Sequence, residues 1–164
     1  MIRAAHLDDS SSITEIYNHY ISHSIATFEE QEIAIADMSL RIQSTLDDKL
    51  PWLVAEQDGL VVGYAYANKW KQRSAYQYSV EATIYLSQYQ QSKGLGSILY
   101  RALIDQLKSK NIHTIMGGIA LPNDASIALH EKLGFNKVAH FREVGKKFNQ
   151  WIDVDYWQLI LNDS

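Results

Sequence analysis

Between residues 76 and 107 the hydrophobic period changes once, and that change constrains the fold more than any other feature of the 164-residue chain. Over 76–86 the residues alternate. Val80, Ala82, Ile84 and Leu86 fall on one face and Glu81, Thr83 and Tyr85 on the other, the period of two that a strand requires. After a Gln/Ser/Gly loop, Leu95, Ile98, Leu99, Ala102, Leu103 and Leu107 recur at i, i+3, i+4, i+7, i+8 and i+12, the stripe of an amphipathic helix. A strand that passes through a glycine-bearing loop directly into a helix is a building unit of mixed α/β folds.

The flanking segments extend the same alternation of elements. A short strand over 2–5 opens the chain, and Asp8 or Asp9 caps a helix whose Ile13, Ile16, Tyr17 and Tyr20 repeat at helical spacing. A second helix is predicted over about 33–46. Extended segments at 52–56 and 61–70 flank Gln57-Asp58-Gly59, where Asp-Gly signals a hairpin. Further on, 113–121 reads as a buried strand, 123–133 as a helix ending at Gly134, and 138–144 with 151–161 as a closing strand pair. No repeat, low-complexity tract or Pro/Gly-rich linker interrupts this order, and Pro51 and Pro122 sit at element boundaries, so one domain over 1–164 is expected. A chain of this length buries roughly two-thirds of its unfolded surface, enough for one core without staples.

Composition removes several function classes. With no cysteine, disulfides, thiolate metal sites and cysteine nucleophiles are excluded. A formal charge of -4 argues against a constitutive nucleic-acid binder, whose surface would be basic, and favours small-molecule chemistry. The start Met1-Ile2-Arg3-Ala4-Ala5-His6 has no signal-peptide pattern and no window reaches the ~20 apolar residues of a membrane span, so a cytoplasmic location without membrane partners is expected. The six histidines form no ligand pair on a shared catalytic surface, and no metal is expected.

The chemistry is expected at Gln91-Ser92-Lys93-Gly94-Leu95-Gly96, after a strand and before the best helix. The first helical turn leaves N–H groups without partners, and with the helix dipole these make a phosphate site. Glycine at 94 and 96 lets a pyrophosphate approach the main chain with no Cβ in the way, although the same glycines also serve simply to cap and turn. No Lys-Ser/Thr follows to hold magnesium and no acidic residue stands at dinucleotide spacing, so nucleotide hydrolysis and nicotinamide binding drop away.

This segment resembles the Q/R-x-x-G-x-G/A pyrophosphate motif of the GNAT superfamily of acetyltransferases. The resemblance continues through Trp70-Lys71-Gln72-Arg73-Ser74-Ala75-Tyr76, Val80-Glu81-Ala82-Thr83-Ile84-Tyr85, the run from Leu121-Pro122-Asn123 to Leu133-Gly134-Phe135, and Trp151-Ile152-Asp153-Val154 with Tyr156-Trp157-Gln158. In that order these look like the phosphinothricin and methionine sulfoximine/sulfone N-acetyltransferases. The resemblance implies a mixed α/β fold with a mostly antiparallel, twisted sheet of about seven strands, a splay between its two central parallel strands, and about four helices. It also implies acetyl-CoA as co-substrate, a small amine acceptor and a homodimer.

Site roles follow from the resemblance residue by residue. Main-chain groups of Ile84, Tyr85 and Leu86 would bond the pantetheine arm, with free N–H groups also available to an oxyanion. Gln91, Ser92, Lys93, Gly94, Leu95, Gly96 and Ser97 would hold the diphosphate, while Asn123 and Ser126 would contact the CoA arm. Asn123 has helix capping as its alternative role. Glu81 matches the family's general base, the alternative being a structural ion pair. Burial would raise its pKa toward neutrality. His130 stands where many relatives carry a proton-donating tyrosine, as donor or as plain hydrogen-bond partner. Arg73 suits a substrate carboxylate by bidentate geometry, with Lys71, Ala75, Tyr76 and Phe28 around the acceptor. Phe148 and Ile152 stand where the herbicide-detoxifying members carry histidines. Two other readings remain open: the same fold acting on protein N-termini or other metabolites, and a non-catalytic acyl-CoA-binding module.

Overall fold

The computed structural model describes residues 1–90 and 94–161. Strands β1 (Ile2–Ala4), β2 (Trp52–Gln57), β3 (Leu60–Lys69), β4 (Ser79–Leu86), β5 (Thr114–Ala120), β6 (Asn136–Lys147) and β7 (Gln150–Ile160) form one sheet in the order β1-β2-β3-β4-β5-β7-β6. All neighbouring pairs run antiparallel except β4 and β5, the parallel pair at the centre. Helices α1 (Ser10–His23), α2 (Ile35–Asp47), α3 (Leu95–Ser109) and α4 (Asp124–Lys132) cover it. The mixed α/β class is as the sequence pattern implied, and the near-antiparallel seven-stranded sheet and the four helices are as the resemblance implied.

Strand alternation splits the core between the two faces. Trp52, Val54 and Tyr64 pack with Ile13, Ile16, Tyr17 and Ile21 of α1 and Met38 and Ile42 of α2. Leu53, Ala55, Ala65, Ala67, Val80, Ala82 and Ile115 face the other way, onto Leu95, Leu99, Leu103 and Leu107 of α3. Each side chain handed to one face leaves the next for the other, which is the period of two at work.

Several boundaries differ from expectation for local reasons. Residues 76–78 are not strand. Arg73 O accepts the Tyr76 N–H at 2.9 Å and Ser74 O accepts the Gln77 N–H at 3.1 Å, winding a tight turn before β4 begins at Ser79. Ile98 is 57% exposed, because the buried face of α3 is centred on the Leu99–Leu103 seam and swings toward Gly96 and Tyr100. Asp9 starts α1 without capping it. Its carboxylate instead receives both Arg3 guanidinium nitrogens at 2.9 Å and the His6 N–H at 2.8 Å. Asp58 and Gly59 take φ 52° and 79°, the double left-handed turn that joins β2 to β3. Phe148 and Asn149, at φ 52° and 60°, make the equivalent β6–β7 turn without a glycine to announce it.

Candidate active site

The site begins where two strands part. β4 and β5 are paired only through Ser79–Thr114, Val80–Ile115 and Glu81–Met116, while β4 continues along β3 to Leu86 and β5 continues along β7 to Ala120. The bonds from Trp70 N to Ser79 O at 3.1 Å and from Ser87 N to Val62 O at 2.8 Å turn the odd-numbered residues of β4 toward β3. Its even-numbered residues therefore point their main-chain groups toward β5, and beyond Glu81 that side has no strand to meet. The N–H of Ile84 and of Leu86 open into the gap, while the Leu86 carbonyl accepts the Tyr20 hydroxyl at 2.5 Å. Unpaired main-chain donors along a strand edge are a template for an extended, amide-bearing ligand. The resulting cleft, about 660 Å³, is lined by Glu81 through Leu86, by Gly118 through Ala120 and by the start of α3.

The open end of α3 adds an anion site to this cleft. Gly94 is its N-cap at φ 85°, a left-handed conformation that a Cβ disfavours, and among the described residues no side chain caps the turn that follows. The first-turn N–H groups are thus left for a ligand, with the positive end of a 15-residue helix behind them. Gly94, Gly96 and Ser97 line the cleft, as do Ile84, Tyr85, Leu86, Asn123, Ser126, Glu81 and His130. Leu95 does not: its side chain is in the core beneath α3, so only its main chain is available. Gln91, Ser92 and Lys93 lie outside the described residues. Asn123 caps α4, its Oδ1 accepting the Ser126 N–H at 3.1 Å, and its amide nitrogen remains to donate. Splayed strand, uncapped helix and glycine turn together fit a ligand with an amide arm and a diphosphate, the chemistry of a CoA thioester.

Glu81 is the last β4 residue paired to β5, at the apex of the splay. Burial raises its carboxyl above the ordinary range, against the hydrogen bond from the Tyr156 hydroxyl at 3.4 Å and the positive charge of Lys71. A second cavity of about 430 Å³ opens on its other side, with Ile25, Phe28, Phe141, Val144, Val154 and Tyr156 in its wall. Glu81, Ala26, Gly118 and Ala120 line both spaces. One carboxylate thus borders the thioester-shaped cleft and an apolar chamber large enough for a small amine.

His130 is buried against β5. Its Nδ1 donates to Ser126 O at 2.8 Å, which fixes the neutral tautomer with Nε2 as acceptor, and the Tyr100 hydroxyl lies 3.1 Å from that Nε2. Burial lowers the His130 pKa below the ordinary histidine value. Gly117 makes the packing possible, since a Cβ there would come within 2.6 Å of His130 Nε2. Tyr100 lines the cleft and holds the histidine, yet its sole sequence trace is the row Gly96, Tyr100, Leu103, Leu107 beside the leucine stripe. Tyr156, the hydroxyl on Glu81, reads in the sequence as one more late aromatic.

The residues expected around the acceptor divide. Phe28 walls the second cavity, its ring so close to Gly145 that a Cβ there would sit 2.3 Å away. The Lys71 ammonium stacks 5.0 Å over Trp70, near enough to Glu81 to favour its ionised form. Arg73, Ala75 and Tyr76 occupy the exposed turn before β4 and line neither cavity, because that turn leaves the sheet instead of continuing it.

Comparisons with known proteins agree with this geometry. The family model described as Acetyltransferase (GNAT) domain matches residues 2–155. The chain is 40% identical over 157 residues to phosphinothricin N-acetyltransferase of Streptomyces viridochromogenes, covering 96% of this chain and 85% of that one. It is 36% identical over 162 residues to L-methionine sulfoximine/L-methionine sulfone acetyltransferase of Salmonella typhimurium, covering 99% and 95%. Among solved structures, a Salmonella typhimurium acetyltransferase with its cofactor acetyl-CoA superposes with TM-score 0.96 at 35% identity, covering 100% of this chain and 95% of that one. A Sinorhizobium meliloti phosphinothricin acetyltransferase in complex with acetyl-CoA gives 0.95 at 34% identity, covering 98% and 88%. A match that runs from the first strand into the last, over a sheet opened at its one parallel pair, has a single meaning: this chain belongs to the GNAT acetyltransferase family.

Proposed function

We propose that this protein acts as one domain that transfers an acetyl group from acetyl-CoA to the α-amine of a small amino-acid analogue, of the phosphinothricin and methionine sulfoximine or sulfone kind for which its relatives are named. The observation that carries this reading is the place of Glu81, a half-buried carboxylate bordering both the cleft and the apolar chamber. Acetyl-CoA supplies the thioester. The side chains of this chain supply position, a base and a path for protons.

An α-ammonium cannot attack until it loses a proton, and a carboxylate whose pKa is raised by burial is a better acceptor for that proton near neutrality than an ordinary one. Glu81 takes it, and the freed amine forms its N–C bond as the C–S bond breaks. The N–H groups of Ile84 and Leu86, with Tyr85 between them, align the amide arm and face the charge that develops on the thioester oxygen. Gly94, Gly96 and Ser97, with the main chain of Leu95 and with Gln91, Ser92 and Lys93, hold the diphosphate. Asn123 and Ser126 border the arm from α4. The departing thiolate takes its proton from the Tyr100 hydroxyl, which His130 Nε2 holds at 3.1 Å, and the proton that the newly acetylated nitrogen gives up restores that hydroxyl. Phe28 walls the amine and Lys71 lies near enough to Glu81 to favour its ionised form, while Arg73, Ala75 and Tyr76, on the exposed turn, line neither cavity.

A cytoplasmic homodimer is part of the same proposal. No described helix is long and apolar enough to cross a membrane. Val138, Phe141 and Val144 on the edge strand β6, with Phe148 at the following turn and Trp151 at the start of β7, are exposed apolar side chains of the kind a second copy would cover. The test is thiol release from acetyl-CoA with methionine sulfoximine, methionine sulfone, phosphinothricin, ordinary amino acids and peptides side by side. Turnover with the first three supports the reading, and a response to peptides alone contradicts it.

A further inference from the structure

Lys147 is a buried cation that the reaction above does not use. It stands at the end of β6, 2% exposed, and its ammonium donates to two main-chain carbonyls more than a hundred residues away, Ser24 O at 2.7 Å and Thr27 O at 2.8 Å. Among the described residues no carboxylate is within ion-pair distance of it, and its ammonium lies 5.1 Å from the centre of the Phe148 ring. Glu29 and Glu30 favour its charge only from beyond contact, and a cation without a contacting counter-ion is costly to bury. The next residue, Phe148, is held at φ 52°, a conformation unfavourable for a bulky side chain. Two unfavourable features thus meet at one point of the molecule.

What they secure is the segment between α1 and α2, which has no helix or strand of its own. Ala26 and Thr27 from this segment line the cleft, and Ala26 with Phe28 line the second cavity. Other elements hold the segment too: the Tyr85 hydroxyl donates to Ala26 O at 3.2 Å, Tyr17 meets Thr27 Oγ1 at 2.9 Å, and Arg41 grips Glu29 at 2.7 Å and 2.8 Å. Among the described residues Lys147 is the one side chain that reaches main-chain carbonyls on both sides of Ala26. An ammonium has three donors on a long stem, so it can satisfy two carbonyls at once, and charged donors make the stronger bonds.

We propose that Lys147 is a positioning residue for the acceptor site: through the Ser24 and Thr27 carbonyls it holds the Ala26–Phe28 wall of the second cavity at its distance from Glu81. This rests on the reading of that cavity as the amine's. Loss of the ammonium frees the wall, so amine binding suffers while Glu81 and the diphosphate site stay as they are.

The test is steady-state kinetics with acetyl-CoA and L-methionine sulfone on the full chain. In Lys147→Met the KM for the amine rises about tenfold, with kcat and the KM for acetyl-CoA within about twofold of the parent. Because the chain has no cysteine, Lys147→Cys offers one thiol. Aminoethylation of that thiol in the unfolded chain, followed by refolding, rebuilds an ammonium and restores the amine KM, whereas methylthiolation leaves it high. Gly145→Ala keeps Lys147 but pushes on the Phe28 ring, and it raises the amine KM in the same way, which tests the wall itself, while the two Lys147→Cys adducts decide on the ammonium if Lys147→Met does not fold. An unchanged amine KM in Lys147→Met or Gly145→Ala overturns the proposal, as does an equal rise in the KM for acetyl-CoA, or two adducts that behave alike. If the parent acetylates no amine, the transferase reading fails by itself. Lys147 is then judged by amide exchange over residues 25–28, which is faster in Lys147→Met with α3 unchanged if the clamp is real and unaltered if it is not.

Discussion

Glu81 joins two opposed demands in a single side chain. Burial raises its pKa, so the folded protein disfavours the carboxylate relative to the unfolded chain. The stability linked to its protonated form is present below the ordinary value of 4.5 and is lost as pH rises through the folded pKa. At pH 7 Glu81→Gln therefore melts higher than the parent, by about 1–3 °C, and the difference shrinks as pH is lowered toward 4.5. The same substitution lowers kcat by about 10²–10⁴ with the KM for acetyl-CoA nearly unchanged. In the parent, kcat/KM falls on the acid side with a limb above the ordinary carboxylate value. Melting scans at several pH values and a pH–rate profile check both, and a variant of full activity refutes the base assignment. Tyr100 and His130 make a second test. Tyr100→Phe leaves the buried His130 Nε2 without its donor and costs about 1–3 kcal/mol. If the two work as one relay, Tyr100→Phe, His130→Gln and the double variant lose similar amounts of kcat, and additive losses exclude the relay. Glu81 was legible because an acid interrupts an apolar alternation. Tyr100 was not, because a tyrosine beside a leucine stripe looks the same whether its hydroxyl meets water or a histidine thirty positions on.

Elements were legible where their pattern is local. The strand at 79–86 and the helix from Leu95 follow from periods of two and 3.6, and the Asp58-Gly59 turn from its dipeptide. The pattern was less informative where a neighbour decides. Ile98 satisfies the helical spacing yet faces solvent, since the side of α3 laid on β2 and β3 is the one that carries Leu99 and Leu103, with Tyr100 beside them reaching His130. The β6–β7 turn places Phe148 and Asn149 where sequence reasoning looks for glycine, and the chain bends there because two long strands pair on either side of it. Gly59 and Gly94 separate turning from binding. Both have positive φ and, among the described residues, neither has an atom within 4 Å of where a Cβ would be, so an alanine at either costs about 1–2 kcal/mol in backbone strain alone. Gly59→Ala lowers stability by that amount with kinetics intact. Gly94→Ala lowers it similarly and also raises the KM for acetyl-CoA, because the strained residue sets the first-turn N–H groups of α3. Urea melts with steady-state kinetics distinguish the two, and equal acetyl-CoA constants contradict the role given to the α3 terminus.

At the scale of the molecule, the splay is where pairing stops. No residue between 82 and 86 marks the place, because what decides it is that β5 turns along β7 while β4 stays with β3. The sequence supplied the two strands, but their divergence appears only once both partners are placed, and the resemblance to a family carried that expectation where periodicity did not. The three paired residues are thus a hinge-like junction between sheet halves, each with its own second partner. Amide exchange reads this directly. In the free protein Thr83 and Tyr85, bonded to β3, exchange slowly, while Ile84 and Leu86, facing the gap, exchange fast, giving protection with a period of two along one strand. A ligand that adds its own amides to that edge and its diphosphate to α3 links the halves, so acetyl-CoA slows Ile84, Leu86 and the first turn of α3 together. At a hundredfold excess over Kd, binding to the folded state alone adds about 2.7 kcal/mol, or roughly 5–10 °C in melting temperature for a chain of this size. Protection confined to α3, with Ile84 and Leu86 still exchanging fast, rules out pairing of the ligand along β4.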